Sequence, residues 1–378
     1  YQGSFRVMEE AEGMRPAPIA YNPSANQTDV PLNPSIQIAY NQELDPNSLG
    51  DQVLLYNTTA GWVLVDKVVS VENGNVVKIV PDTVLEANTQ YYVSLSGVED
   101  TDGDLQSGTR AFYFTTGEDA VEDDQQPQVV ALSPPNGMTD VGLNPRYHFR
   151  FDEPINALSL IEEPGVSVSF ASNNTELLYT RHEPLLADSE FTETVPGIED
   201  LAGNAVLTLS TTFRTGDEPD VVAPVVSSYL PESNTTVPVN TVVRLQMSEA
   251  VDPVSVNSTS FSVTDVTNNW TQLAGGASVH EDGRTLAWVP DEALKVGRQY
   301  YVASSGVTDV SGNVGGSHGR YFTTSLEEDL IAPLVEETTV FEGQTDVPLN
   351  ARIRVRFNEP LDKWTQSLVT LKVSGSVI

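Results

Sequence analysis

Carboxylates are the side chains whose number and placement could support specific chemistry in this chain. The 378 residues include 53 acidic and 19 basic ones, which gives a formal net charge of −34 at pH 7. Calcium binds about six to eight such oxygen atoms without strict geometry. Nucleic-acid phosphate and anionic lipid are poor partners for so acidic a surface. Many of the acids lie in three short stretches, which contain Glu118, Asp119, Glu122, Asp123 and Asp124, then Asp217, Glu218 and Asp220, then Glu327, Glu328 and Asp329.

These acidic stretches separate the copies of a long repeat. The motif Thr-Asp-Val-Pro-Leu-Asn starts at Thr28 and returns with small changes at Thr139, Thr235 and Thr345. A period of roughly 100 residues is that of whole domains and is too long for solenoid units. The predicted divisions are a tail or the end of a preceding module at 1–15, complete domains at 16–117, 127–216 and 224–325, and a partial copy at 333–378. Because the chain ends inside the fourth repeat, we expect the natural polypeptide to continue.

Each copy has the pattern of short β-strands. After the first motif, Ile36, Ile38 and Tyr40 alternate with other residues, which is typical of a strand with one buried face. About seven such strands are expected in the first copy, one of them from Trp62 to Val71, and no segment has a sustained helical period. The second copy is shorter between Pro164 and Phe191, which predicts a trimmed hairpin. The chain is therefore predicted to be all-β, a tandem array of immunoglobulin-like Greek-key β-sandwich domains.

Composition adds two constraints. The sequence has no cysteine, so each domain must be stabilised by its hydrophobic core without disulfides. No run of eighteen apolar residues is present, so no membrane-spanning helix is expected. Direct membrane insertion is therefore not predicted.

Two further landmarks recur in a fixed order around the motif. The first landmark follows the strand after the motif and contains a Glu, at Gln42-Glu43, Glu153, Glu249 or Glu359. The second is a turn before the last strand, which begins at Asp100, Asp200 or Asp309. It has the form Asp-x-x-Gly-Asn in the second and third copies. The combination resembles the bacterial Ig-like domain family first associated with S-layer proteins, over nearly all of the chain after the tail. The resemblance implies a building block of long bacterial surface and secreted proteins, with calcium at domain junctions in some members.

The topology of such a sandwich would bring the acids together. Its first strand starts at the end of the domain where the second strand finishes and where the loop between the last two strands lies. Each acidic linker should then meet the recurring Glu and Asp of the domain that follows. The candidate calcium ligands are Asp123, Asp124, Glu153 and Asp200 at the first junction, Asp217, Asp220, Glu249 and Asp309 at the second, and Glu328, Asp329 and Glu359 at the third. In the alternative interpretation the linkers are solvated hinges and Asp-x-x-Gly-Asn is only a tight turn.

No catalytic arrangement is recognisable in the sequence. There is no cysteine nucleophile, no Gly-x-Ser-x-Gly and no phosphate-binding glycine loop. The four histidines, His148, His182, His280 and His318, share no landmark of the repeat. The chain is therefore predicted not to be an enzyme.

These patterns favour a non-enzymatic structural protein outside the bacterial cell. We predict a rod of Ig-like domains at the cell surface that forms or spaces a fibre, an S-layer or an adhesin stalk, with calcium stiffening its junctions. Its expected partners are copies of itself or other surface proteins, including by addition of a strand from residues 5–8 to the partial fourth copy. One alternative is a glycan- or host-binding adhesin module that uses Trp62 and Trp270, and another is a spacer within a larger secreted enzyme.

Overall fold

The computed structural model of the chain describes residues 13–118, 121–160, 165–195, 197–206, 209–348, 350–359, 361, 372–373 and 376–377. In these residues every regular element is a β-strand or a single 3-10 turn, so the all-β prediction is confirmed. None of the helical segments among them is long and apolar enough to cross a membrane. Residues 5–8, predicted as an added strand, lie outside the described part.

Domain 1 is a sandwich of nine strands. They are β1 (Pro18–Asn22), β2 (Gln27–Val30), β3 (Ile36–Tyr40), β4 (Val53–Asn57), β5 (Val63–Leu64), β6 (Lys67–Glu72), β7 (Val76–Pro81), β8 (Gln90–Leu95) and β9 (Arg110–Thr116). One sheet has the order β1-β3-β7-β6 and the other β2-β9-β8-β4-β5. The motif strand β2 pairs parallel with β9, and the other neighbours are antiparallel.

The predicted strand from Trp62 to Val71 is two strands in different sheets. β5 pairs with β4, whereas β6 pairs with β7 on the opposite face of the sandwich. The chain therefore crosses between sheets at Val65 and Asp66, and no glycine or proline marks the crossing in the sequence. The period-two pattern reports which face is buried, but it does not report which sheet supplies the partner.

Domain 2 is built in the same order from six described strands. They are β10 (Val129–Ser133), β11 (Arg146–Phe151), β12 (Val166–Ala171), β13 (Glu176–Arg181), β14 (Glu190–Val195) and β15 (Leu209–Arg214). The sheets are β10-β11-β13-β12 and β14-β15. The hairpin of β12 and β13 corresponds to that of β6 and β7 and is intact. The shortening lies before Val166, earlier than the sequence predicts.

Domain 3 restores the arrangement of domain 1. Its strands are β16 (Val226–Leu230), β17 (Thr235–Val237), β18 (Val243–Met247), β19 (Phe261–Asp265), β20 (Thr271–Gln272), β21 (Gly275–Val279), β22 (Thr285–Pro290), β23 (Gln299–Ser304) and β24 (His318–Thr324). The sheet orders are β16-β18-β22-β21 and β17-β24-β23-β19-β20. The fourth copy contributes the pair β25 (Val335–Thr338) and β26 (Val355–Phe357), and the pair β27 (Lys372–Val373) and β28 (Ser376–Val377).

Each complete domain closes on its own core. In β11, the alternating residues Tyr147, Phe149 and Phe151 are buried, as the period-two pattern requires. The buried apolar residues form three separate clusters, one for each sandwich. Two of these clusters also include one residue from the following domain, and those residues lie at the junctions described next.

Candidate metal centres at the domain junctions

The linker leaving each domain is held by the last residue of that domain's motif. The Asn33 amide donates to the Asp123 carbonyl (3.0 Å), and the Asp123 backbone N–H donates back to Asn33 Oδ1 (2.8 Å). Asn144 makes the same two bonds with Asp220, at 2.8 and 2.7 Å. The third junction repeats them between Asn240 and Asp329, at 2.7 and 3.2 Å. The recurring Asn therefore fixes the backbone of one acidic residue in each linker.

The following domain also binds the backbone of this linker residue. Asn204, which closes the Asp-x-x-Gly-Asn turn of domain 2, donates its amide to the Asp123 carbonyl (3.1 Å). At the next junction, Asn313 donates to the Asp220 carbonyl (3.2 Å). One carbonyl oxygen is thus shared by side chains of two domains. The linker is bonded to both, so at these two junctions it is not a freely solvated chain.

The Asp that begins each turn is buried, and it organises the turn as the tight-turn interpretation requires. Asp200 is fully buried, and its Oδ1 accepts hydrogen bonds from the backbone N–H groups of Ala202, Gly203 and Asn204. Among the described residues, its Oδ2 accepts one hydrogen bond, from the Asn204 amide (2.8 Å). Asp309 Oδ1 accepts from the backbone N–H groups of Ser311 and Asn313, and its Oδ2 accepts from the Asn313 amide. Because Oδ2 retains an unused acceptor site, the turn role leaves room for a metal ligand.

Three carboxylates converge at each of the first two junctions. One oxygen from each of Asp123, Glu153 and Asp200 lies within 4.8 Å of the others. Asp220, Glu249 and Asp309 form the same group at the second junction, again with all three oxygens within 4.8 Å. The linker Asp, the Glu after the second strand and the Asp of the turn therefore meet at one point, as the topology predicted.

The remaining predicted ligands lie outside these two carboxylate groups. At the third junction the carboxyl group of Glu359 lies within hydrogen-bonding reach of Asp329. Asp124 instead accepts a hydrogen bond from Gln125, and Asp217 lines the groove around the second carboxylate group without joining it. Glu328 is exposed, and no carboxylate group among the described residues includes it.

Burial, together with the neighbouring negative charges, raises the pKa values of these acids. The pKa of Glu153 is raised to about 8 by burial, by a hydrogen bond with Asp123 and by the negative charge of Asp123. Burial and the charges of Asp220 and Asp309 raise the pKa of Glu249. Without a cation, each group must either bind a proton or bear the repulsion, whereas a divalent ion would favour all three charged forms.

Each carboxylate group opens into an acidic groove. The first groove, of about 440 Å³, is also lined by Asp29 and Glu118, and the second, of about 690 Å³, also by Asp140, Asp217, Glu218, Glu281 and Asp282. Asp29 and Asp140 are the second residues of the repeated motif. In the second groove the buried Ser311 hydroxyl has no hydrogen-bond partner in the described structure. Oxygen donors without sulfur or imidazole fit a hard cation such as calcium and not zinc.

A second contact at each junction is apolar. Leu201, the residue after Asp200, is buried in the core of domain 1, and its carbonyl accepts a hydrogen bond from the Ser35 N–H (2.7 Å). Val310, the residue after Asp309, is buried in the core of domain 2, and its carbonyl accepts from the Arg146 N–H (2.9 Å). Domains 2 and 3 thus each insert one side chain into the core of the domain before them.

A glycine in the turn permits this close approach. Gly312 has φ +87°, and a Cβ there would collide with the side chain of Arg146 in the preceding domain. At this second junction the glycine is therefore favoured by its left-handed backbone, and a larger residue would also have to displace the flexible Arg146 side chain. The sequence accounts for the first reason alone.

Comparison with known families decides the classification. Residues 14–116, 123–215 and 220–324 each match the model of the bacterial Ig-like domain. The chain belongs to this family. No curated protein matches the chain.

Several solved structures are similar to the chain at low identity. The N-terminal part of the bacterial S-layer protein SbsC is 19% identical, with 42% of this chain and 32% of that one covered and a TM-score of 0.24. Domains 1–6 of the surface layer protein SbsC are 9% identical, with coverages of 97% and 58% and a TM-score of 0.24. A chimeric titin Z1Z2 is 11% identical, with coverages of 54% and 98% and a TM-score of 0.22. The chain spans about a third of the first of these structures.

The two hydrogen bonds between the last Asn of the motif and the linker Asp, which we call the Asn clamp, have a testable consequence. Replacing Asn144 by Ala removes both bonds to Asp220, which should cost about 1–3 kcal/mol and loosen the second linker. We expect a glutamate-specific protease to cut the variant faster at Glu218. Cleavage at Glu118 and Glu122 in the first linker is the internal control and should be unchanged. Equal cleavage rates at Glu218 in variant and parent would contradict the clamp.

The raised pKa values predict an unusual pH dependence in the absence of metal. Because the pKa of Glu153 is about 8 in the folded chain and near 4.5 when unfolded, the folded state binds the proton more tightly. This contribution to stability is complete below pH of about 4.5 and is lost as pH rises through 8. The melting temperature in metal-free buffer should therefore fall between pH 5.5 and 8.5.

Millimolar calcium should abolish this fall, because the ion replaces the proton. The control is the double variant Glu153→Gln, Glu249→Gln, which should lose most of the dependence because the glutamate with a raised pKa is removed from each carboxylate group. A melting temperature that rises over this range in metal-free buffer would contradict the assignment.

Proposed function

We propose that the chain is a non-enzymatic structural protein of the bacterial cell surface, a rod of Ig-like domains whose junctions are stiffened by calcium. The observation that carries the proposal is the repetition of one joint at two consecutive junctions. Each has a group of one Glu and two Asp carboxylates, a linker carbonyl bonded by one Asn from each domain, and an apolar residue inserted into the preceding core. An active site seldom recurs at every link of an array. A joint must recur if the array is to keep its shape.

Calcium suits this role better than magnesium. Magnesium requires near-ideal octahedral geometry and gives up its water reluctantly, whereas calcium accepts irregular sets of carboxylate and carbonyl oxygens. The three carboxylates come from the linker, from the loop that follows β11 or β18, and from the Asp-x-x-Gly-Asn turn. One ion would therefore crosslink a linker and two loops. Calcium is abundant outside cells, which agrees with an extracellular location.

Domain 1 provides a natural contrast. The ligand Glu lies two residues after β11 and two residues after β18, at Glu153 and Glu249, whereas the residue two positions after β3 is Gln42. A neutral amide there would weaken a carboxylate site of this type. We therefore assign the calcium-dependent joints to the junctions that follow domain 1.

Small-angle X-ray scattering with thermal melting tests the function. In millimolar calcium we expect an extended particle, and in excess chelator a smaller maximum dimension or a more flexible profile together with an earlier melting transition. Identical scattering and melting in both conditions would contradict calcium stiffening and leave a calcium-independent array. A compact particle in calcium would contradict the rod itself.

A further inference from the structure

Domains 1 and 3 each carry an exposed tryptophan packed on tyrosines at the same place in the fold. Trp62 ends the loop from β4 to β5, and Trp270 ends the loop from β19 to β20. Their exposed fractions are 53% and 55%, unusually high for so large an apolar side chain. We name each cluster an aromatic platform: Trp62 with Tyr56, Tyr92 and Tyr113 in domain 1, and Trp270 with Tyr301 and Tyr321 in domain 3.

The rings of each platform hold one another in place. Tyr92 and Tyr113 face each other across β8 and β9 with centroids 4.8 Å apart, and the Trp62 ring lies edge-on to Tyr92 at 5.2 Å. In domain 3, Tyr301 and Tyr321 are also 4.8 Å apart, and Trp270 lies edge-on to Tyr301 at 5.7 Å. Edge-to-face packing of this kind fixes ring orientation. The tryptophan is therefore presented to solvent in a set position.

The backbone at both tryptophans is strained. Trp62 has φ 65° and Trp270 has φ 57°, in the left-handed region that bulky residues rarely adopt. Residues held in such conformations concentrate at binding sites, where the surrounding structure enforces them. The same strain at the same position in two domains points to a role for the exposed ring.

Domain 2 shows that the sandwich does not need the platform. Thr192 and Thr212 pair across β14 and β15 at the position of the two tyrosines, and the domain contains no tryptophan. Its core nonetheless closes around Tyr147, Phe149 and Phe213. The aromatic rings of domains 1 and 3 are therefore additions to the fold.

The surroundings indicate the class of ligand. The aliphatic residues Val63 and Leu64 that follow Trp62 are replaced after Trp270 by Thr271 and Gln272, so a continuous apolar strip is not the shared feature. What the two sites share is an exposed indole at the end of a loop with polar side chains, which are Thr58 and Thr59 in domain 1 and Thr267, Asn268 and Asn269 in domain 3. A pyranose ring has an apolar C–H face for the indole and hydroxyl groups for such neighbours. The net charge of −34 disfavours acidic sugars.

We propose that the two aromatic platforms bind a neutral polysaccharide, with one sugar ring stacked on each indole. Two sites on one chain, separated by domain 2, let a long polymer engage both. The second contact is then intramolecular, and it raises the apparent affinity by about 100-fold or more over a short oligosaccharide. This inference does not depend on calcium at the junctions.

Tryptophan fluorescence and calorimetry test the proposal on the full chain. The probes are cellohexaose, xylohexaose, mannohexaose and chitohexaose, each with its soluble long-chain counterpart. We expect at least one probe to bind, the single variants Trp62→Ala and Trp270→Ala to halve the number of sites, and the double variant to lose binding by more than about 10-fold. Trp62→Phe and Trp270→Phe keep a stacking ring and should retain affinity within about fivefold.

The control is Val289→Ala, which removes an exposed side chain from the opposite sheet of domain 3 and should change nothing. Unchanged binding by the double Ala variant would overturn the proposal. Failure of every probe to bind the parent chain would also overturn it. That result would hold even if a protein were found to bind at these tryptophans.

Discussion

Replacing Leu201 by Ala in domain 2 is expected to destabilise domain 1. The side chain is 2% exposed and belongs to the buried core of the preceding domain. Truncating a buried Leu costs about 2–5 kcal/mol, because the transfer free energy is lost and a cavity remains. Here that cost falls on the contact between two domains, so the effect should cross the junction.

Hydrogen exchange measures this result domain by domain. Amides of β3 and β9 in domain 1 should exchange faster in the variant, with a loss of protection that corresponds to a substantial part of those 2–5 kcal/mol. The matched control is Leu186→Ala, which truncates a leucine of domain 2 that is 73% exposed and should leave domain 1 unchanged. Faster exchange confined to domain 2 would contradict insertion of Leu201 into the neighbouring core.

The second large effect is on calcium binding. The parent chain should bind two calcium ions at the two complete carboxylate groups. Glu153→Gln or Glu249→Gln should weaken the affected site on the order of 100-fold, because one of three charged ligands becomes neutral while the others stay partly buried. Calorimetry gives the stoichiometry and the affinity of each variant, and Gln42 shows that the fold accepts an amide at this position.

The control for this experiment is matched in charge and location. Glu281 lines the same groove as Glu249 but lies outside its carboxylate group, so Glu281→Gln removes an equal charge without removing a ligand. We expect less than a fivefold loss of affinity from it. Equal losses from Glu249→Gln and Glu281→Gln would mean diffuse attraction by an acidic surface, and absence of binding by the parent chain would contradict the metal centres.

The meeting of the acids could be anticipated because it depends on topology. A period-two pattern locates the strands, and the order of strands in an Ig-like sandwich places the first strand, the end of the second and the last loop at one end of the domain. This is enough to bring Asp123, Glu153 and Asp200 together. It does not distinguish Asp123 from Asp124, because that choice depends on which linker peptide the Asn clamp holds.

The sequence does not predict the Asn clamp or the apolar side chain inserted into the preceding domain. The signal for the clamp was present, since Asn33, Asn144, Asn240 and Asn350 end all four copies of the motif. An Asn at the end of a motif can equally be a turn residue, and only the fold shows that its partner lies some 90 residues away, at Asp123. The inserted residue was hidden for another reason. Leu201 is an apolar residue in a polar turn, and its side chain packs in the core of domain 1. The hydrophobic pattern of domain 2 does not report that core.

Distance measurement across the array tests the calcium-stiffened joint most directly. Because the chain has no cysteine, Val68→Cys in domain 1 and Val289→Cys in domain 3, both exposed, can be spin-labelled as a unique pair. Pulsed electron resonance then gives the distribution of distances between the two domains. We predict one narrow distribution in calcium and a broad one in chelator, with the double variant Glu153→Gln, Glu249→Gln broad in both. Distributions of equal width with and without calcium would contradict the account.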